Sequence, residues 1–233
     1  MATLLVFGAR NLGRALAASF AEDGWTVAAV ARSAETIAGL RTDLPEVLGL
    51  VADAARPEDV ERAFAETRER FGEVDLVVNA ISIGVPAGEL ADAPPDALAP
   101  YLGILVPGVF NVVRVAARVL REQASGTLVQ ITGGSARRGM SGRGPWAAAA
   151  FATRALVQAA ALELREHGVH VALLIVDATI ESAKTHEWLQ GSPPEASTTE
   201  ADVAAAVRYL AAQSPRGWTH ELQLTPRLDR WVP

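Results

Sequence analysis

Short aliphatic runs alternate along this chain with longer stretches in which apolar residues recur at helical spacing. TLLVF (3–7) reads as a first strand. A helix is predicted over 12–22, stopped by Gly24, and TVAAVA (26–31) is a second strand. ETIAGLRT is a short helix and VLGLVAD (47–53) a third strand. Pro57 suits a first helical position, Glu58 and Asp59 suit the positive end, and Gly72 closes that helix. VDLVVNA (74–80) is strand four, followed by a Pro/Ala-rich loop, PAGELADAPPDA. A long helix is expected over 101–122, with Pro107 either bending it or marking its true start. GTLVQIT is strand five, GGSARRGMSGRGP a loop, 146–167 an alanine-rich helix and VHVALLIVDA strand six. A short helix over 182–189, the linker GSPPEASTT, a helix with Thr199 as its cap and a closing strand HELQLTP complete the pattern.

This alternation, with strands apolar on both faces, predicts one α/β domain over 1–233. It is a doubly wound, mostly or wholly parallel sheet of about seven strands with helices on both sides. Ligands of such sheets bind beyond the carboxyl ends of the strands. Here those ends carry Gly8, Arg32, Asp53, Asn79, Thr132 and Asp177.

Composition narrows the chemistry. The chain has no cysteine, which excludes disulfides, thiolate nucleophiles and cysteine metal sites. A formal net charge of −6 argues against a nucleic-acid partner. The first residues, MATLLVFGAR, lack a basic region and enter a glycine turn, so a cytoplasmic protein without a leader or membrane span is expected. Lys184 is the one lysine, and Tyr101 and Tyr209 are the two tyrosines. No histidine–carboxylate spacing suggests a metal.

The turn VFGARNLGRALA leaves strand one and enters a helix. Its glycines let backbone N–H groups face a pyrophosphate at the positive helix end. Gly8 and Gly13 are present, and the loop is one residue short. An acid at the end of strand two would favour NAD through the ribose 2′-OH. That position reads Ala31-Arg32-Ser33, so Arg32, with Arg10 in the turn, favours the 2′-phosphate of NADP(H).

From these motifs the chain resembles the short-chain dehydrogenase/reductase family over nearly its whole length. GARNLGRALA looks like the TGxxxGIG turn with one deletion, LVADAARPEDV like the adenine-contacting acid segment, and DLVVNAI like DxLVNNAG. GTLVQITGG, FATRALVQAAALEL and WTHELQLTP are similar to the family's later motifs, in the right order. The resemblance implies cofactor contacts at Gly8, Arg10, Asn11, Leu12, Gly13, Arg32, Ser33, Asp53, Ala54, Asn79, Ala80 and Ile81. It also implies pairing of helices across a two-fold axis, hence a homodimer or homotetramer. The small residues spread round the 146–167 helix fit that expectation.

The family's chemistry rests on an Asn-Ser-Tyr-Lys tetrad. At the matching positions stand Leu105, Gly133, Trp146 and Ala150. No tyrosine precedes a lysine by four residues anywhere, because Ile180 stands four before Lys184. Candidates to stand in are Asp177, whose burial would raise its pKa, Ser135 as a donor to a carbonyl, and Trp146 as a stacking face. Ser82, Thr132 and His186 are further polar groups near the same mouth, and Arg137, Arg138 and Arg143 could recognise an anionic substrate. The sequence leaves open an atypical reductase, a non-redox cyclase, isomerase or dehydratase, and an inactive NADP(H) or metabolite sensor or partner subunit.

Overall fold

The computed structural model describes residues 1–84 and 88–229. Pro86 and Ala87, the start of the expected Pro/Ala-rich loop, lie outside the described residues. Seven strands form one sheet: β1 (Thr3–Phe7), β2 (Thr26–Ala31), β3 (Leu48–Val51), β4 (Leu76–Asn79), β5 (Thr127–Gly133), β6 (His170–Val176) and β7 (Glu221–Leu224). Their order is β3-β2-β1-β4-β5-β6-β7 and every pairing is parallel. The chain winds outward from β1 in one direction and from β4 in the other. A crevice therefore opens between the carboxyl ends of β1 and β4.

Successive side chains point to opposite faces, so each strand feeds two cores. Leu5, Phe7, Val77, Leu128 and Leu173 pack under α3 (Pro57–Phe71), α4 (Val106–Gln123) and α5 (Gly144–Leu164). Leu4, Val6, Val78, Val129 and Leu174 pack under α1 (Leu12–Glu22), α2 (Ala34–Asp43) and α7 (Glu200–Ala211). A one-turn helix, α6 (His186–Leu189), lies between β6 and α7. The expected α7 cap is present as a full capping box, Thr199 accepting from Asp202 N–H and Asp202 accepting from Thr199 N–H.

Pro107 marks a start. Tyr101–Leu105 forms a wide π-turn, and the α-helix begins at Val106. Proline offers no N–H to the carbonyl four residues back, so the chain uses the wider turn until regular bonding can begin. The segments Tyr101–Gln123 and Gly144–His167 have the length and apolarity of a membrane span, and here both are packed against the sheet as core helices.

At the amino end of β6, His170 is buried. Its Nδ1 lies 3.2 Å from the Leu210 carbonyl and its Nε2 2.9 Å from that of Thr219, with Trp218 stacked on the ring at 5.2 Å. Burial holds its pKa below the ordinary histidine value, against the opposing pull of the two carbonyls. The unfolded chain therefore takes up this proton first. Stability is full above the unfolded histidine pKa of about 6.5 and declines as pH falls through that value toward the folded pKa. The melting temperature should drop between about pH 7.5 and 5.5, and His170→Gln should flatten that drop. An equal drop in the variant would assign the acid sensitivity elsewhere.

Candidate active site

The turn after β1 is closed by backbone contact. The N–H groups of Gly8 and Ala9 both donate to the Val30 carbonyl at 2.9 Å, and Arg10 N–H donates to Gly8 O at 2.8 Å. Gly8 has φ +91°, and a Cβ there would lie 2.7 Å from Ala80 O. A Cβ at Gly13 would lie 2.5 Å from Gly8 O. Only glycine fits at either place. The one-residue-short turn is thus a close-packed bend that leads straight into α1. The first-turn N–H groups of a helix have no intrahelical acceptor, and together with the helix dipole they make a place for an anionic group. Asn11 is the N-cap residue but its side chain makes no cap bond, and Leu12 opens the helix, half-buried.

The neighbouring strand ends line the same edge. Arg10 and Arg32 are exposed, and no ion pair holds either among the described residues. Ser33 caps α2 by accepting from Thr36 N–H at 3.3 Å. Asp53 accepts from Ala55 N–H at 3.0 Å, while its own N–H donates to Asp59 at 2.8 Å. Ala54 is buried and its carbonyl accepts from Asn111 at 2.9 Å. Asn79 is fully buried: its Nδ2 donates to Gln130 Oε1 at 2.8 Å and its Oδ1 accepts from Ile81 N–H at 3.3 Å. Ala80 N–H donates to Phe7 O at 2.9 Å. Side-chain bonds thus set the loops after β2, β3 and β4. The structure brings the expected turn and strand-end residues to one edge of the sheet.

A second group of residues lies at the carboxyl end of β5. Trp146, in the first turn of α5, is half-buried, with its Nε1–Cζ2 edge turned toward Gly133. A Cβ on Gly133 would meet that edge at 3.7–3.8 Å. Tyr101 packs on the indole, ring centroids 6.1 Å apart and planes at 64°. Its hydroxyl donates to Gly84 O at 3.1 Å, and burial raises its pKa above the usual phenol value. Ala150 and Leu105 are buried in the packing of α5 and the π-turn. Ser135, just past β5, is fully buried, and its Oγ has no hydrogen-bond partner among the described residues.

Asp177, at the end of β6, is 7 % exposed. Arg138 donates to both of its oxygens, at 2.8 and 3.3 Å, and Gln223 Nε2 donates at 3.2 Å. With Arg138 and Gln223 both donating to it, Asp177 is a clasp between the β5 loop, β6 and β7. Gly134 makes this possible, since a Cβ there would overlap the Asp177 carboxylate.

Ser82 is exposed, and its hydroxyl donates to Ile83 O at 3.3 Å. His186 is exposed and lines a groove of about 200 Å³ with Glu181, Ser182 and Leu189. Thr132 and Arg137 are half-buried and Arg143 is exposed. Sequence reading passed over Tyr101 and the Arg154–Glu221 pair. Arg154 donates twice to Glu221 at 2.7 Å and once to Ala136 O at 3.2 Å, tying α5 to β7 and to the turn after β5. Burial pushes the Glu221 pKa up, and Arg154 with Gln158 outweighs it, leaving the carboxyl below its ordinary value. The rarity of tyrosine was a usable signal for Tyr101. Nothing in the spacing pointed to Glu221. Among the described residues no group of three or more metal-ligating side chains is assembled.

The family described as Enoyl-(Acyl carrier protein) reductase matches residues 7–221. The chain is 26% identical to an L-fucose dehydrogenase of Bos taurus over 89% of its own length and 81% of that protein. It is 30% identical to an NADPH-dependent pterin aldehyde reductase of Arabidopsis thaliana, covering 73% of this chain and 72% of that one. The solved structure of ElxO with NADP bound superposes with a TM-score of 0.86 at 18% identity, over 95% of this chain and 96% of the other, which is a likeness of fold. A match along the sheet from β1 to β7, with the glycine turn at the switch point, leads to one conclusion: the chain belongs to the short-chain dehydrogenase/reductase family.

Proposed function

We propose that this protein binds NADP(H) at the β1–β4 crevice and acts as an atypical reductase on a small, activated carbonyl compound, without the family's tetrad. The observation that carries the cofactor reading is the bend from Gly8 to Gly13. A side chain at either glycine would close it, and exposed Arg10 and Arg32 lie on the same edge. The first-turn N–H groups of α1 hold the pyrophosphate, the arginines take the 2′-phosphate, and Asp53 with Ala54 borders the adenine. When bound, the nicotinamide supplies hydride. The chain's own part is to orient and to exclude water: Trp146 and Tyr101 wall the pocket, and the Asp177 clasp fixes its far side.

Trp146, Ala150, Gly133 and Leu105 supply no acid, base or hydroxyl where the family places its tetrad. Tyr101 does not replace them, because its hydroxyl is engaged and its pKa is raised. The same four residues favour a second reading, a protein that binds NADP(H) or a metabolite without turnover. Titration of the purified protein with NADPH and then NADH, followed by nicotinamide fluorescence, tests the shared part. Tighter binding of NADPH is expected, and absence of binding by both would overturn it.

Assembly with further copies belongs to the same proposal. Helices α4 and α5 pack side by side and leave Phe110, Phe151 and Leu162 exposed, among small side chains that let another helix approach. Light scattering at micromolar concentration should give a dimer or tetramer mass. A monomer mass would contradict this.

A further inference from the structure

The amino edge of the sheet, opposite the β1–β4 crevice, holds a groove of about 330 Å³, a size that suits a small ligand. It lies where Ala2 precedes β1, Asp75 precedes β4, Thr127 starts β5 and His170 starts β6. Two of the chain's five tryptophans, Trp25 and Trp218, line it, and both are half-buried. Their places are fixed by the fold. Trp25 meets the Phe20 ring edge to face at 5.1 Å, and its backbone N–H donates to the Phe20 carbonyl at 3.0 Å. Trp218 stacks on the His170 imidazole with the planes 6° apart. Gln213 braces the loop that carries Trp218: its Nε2 donates to Thr219 Oγ1 and its Oε1 accepts from Thr219 N–H, both at 2.8 Å. Both indoles are thus ordered before any ligand arrives, which removes part of the entropy cost of binding.

The charge in the lining is negative. Asp75 is exposed, its Oδ2 accepts from Thr3 N–H at 2.7 Å, and no ion pair among the described residues engages the carboxylate. No lysine or arginine lines the groove, and burial holds the His170 pKa below its ordinary value, so that ring is neutral near neutral pH. Indole faces attract cations more strongly than the other aromatic rings do, and a carboxylate adds Coulomb attraction. An anion would be repelled by both. We infer that this groove is a binding site for a small organic cation, a quaternary ammonium or protonated amine. Strands of five to seven residues separate it from the crevice, roughly 15–25 Å, so the inference does not rest on the proposed function.

The test uses choline and 3,3-dimethylbutan-1-ol, which has the same shape with carbon in place of the charged nitrogen. Each is titrated into the intact protein without nucleotide, by calorimetry and by tryptophan fluorescence. Choline should bind and perturb the fluorescence, and the alcohol should bind at least about fivefold more weakly. Asp75→Asn keeps an oxygen for the Thr3 N–H and removes the charge. It should weaken choline about twofold to fivefold and leave the alcohol unchanged. Trp218→Leu should weaken choline about threefold to thirtyfold. Equal affinity for the two probes, no choline binding, or unchanged choline affinity in either variant would overturn the inference. The probe comparison on the intact protein and the conservative Asp75→Asn comparison decide it even if Trp218→Leu does not fold.

Discussion

Reduction of simple ketones and aldehydes by NADPH is expected to run about 10²–10⁴-fold slower in this protein than in a family member that carries the tyrosine, measured side by side. That factor is the worth of one general acid, before any lysine or hydroxyl is counted. As hydride reaches a carbonyl carbon, the oxygen gains an electron pair and needs a proton at once. Trp146 donates a hydrogen bond but no proton, and Ala150 has nothing to tune. Asp177 is committed to Arg138 and Gln223, and Tyr101 to Gly84 O. Substrates whose oxygen tolerates negative charge, such as quinone-like compounds, escape the penalty. Efficient turnover of plain ketones, with Trp146→Ala still active, would show that the reacting centre lies elsewhere.

The second expected result concerns nucleotide choice. Arg32→Ala should weaken NADPH by about 1–3 kcal/mol, roughly 5–150-fold in Kd, and change NADH by less than about twofold. Arg32 is exposed at the end of β2, is held by no ion pair among the described residues, and follows buried Ala31. Its removal leaves no buried partner unsatisfied, so the fold should be indifferent and the loss should report contact with the 2′-phosphate alone. Because the site is open to solvent, the effect should shrink as salt is raised. Equal losses for both nucleotides would sink the assignment.

The fold was legible because its signals are local. β1, α1 and β2 lie where the alternation put them, and Thr199 caps α7 as its type and place suggested. β3 and β6 are shorter than their apolar runs, since pairing with a neighbouring strand ends a strand while hydrophobicity continues past it. Pro107 gave two outcomes at the level of sequence, and only the π-turn before it decides between them. Of the candidate site, the bend at Gly8 and Gly13 was legible because it is a backbone feature that only glycine permits. The site was not legible where side chains meet across the sheet. Arg138 and Asp177 are 39 residues apart, and Asp177 read alone is an acid at the end of an apolar strand. Its partner changes that chemistry, and no spacing rule predicts the partner.

The edge strand β7 sets an order of events for the newly made chain. Glu221 receives Arg154 from α5, and Gln223 reaches Asp177 at the end of β6. β7 is synthesised after every other element, and chains emerge N-terminus first. The crevice between β1 and β4 can take shape while the ribosome is still working. The carboxyl end of β6 and the α5 face beside it acquire their last fastening only once β7 is free to dock. A nascent chain stalled before β7 should therefore have the β1–β4 half of the sheet in place while α5 and the end of β6 are still loosely held.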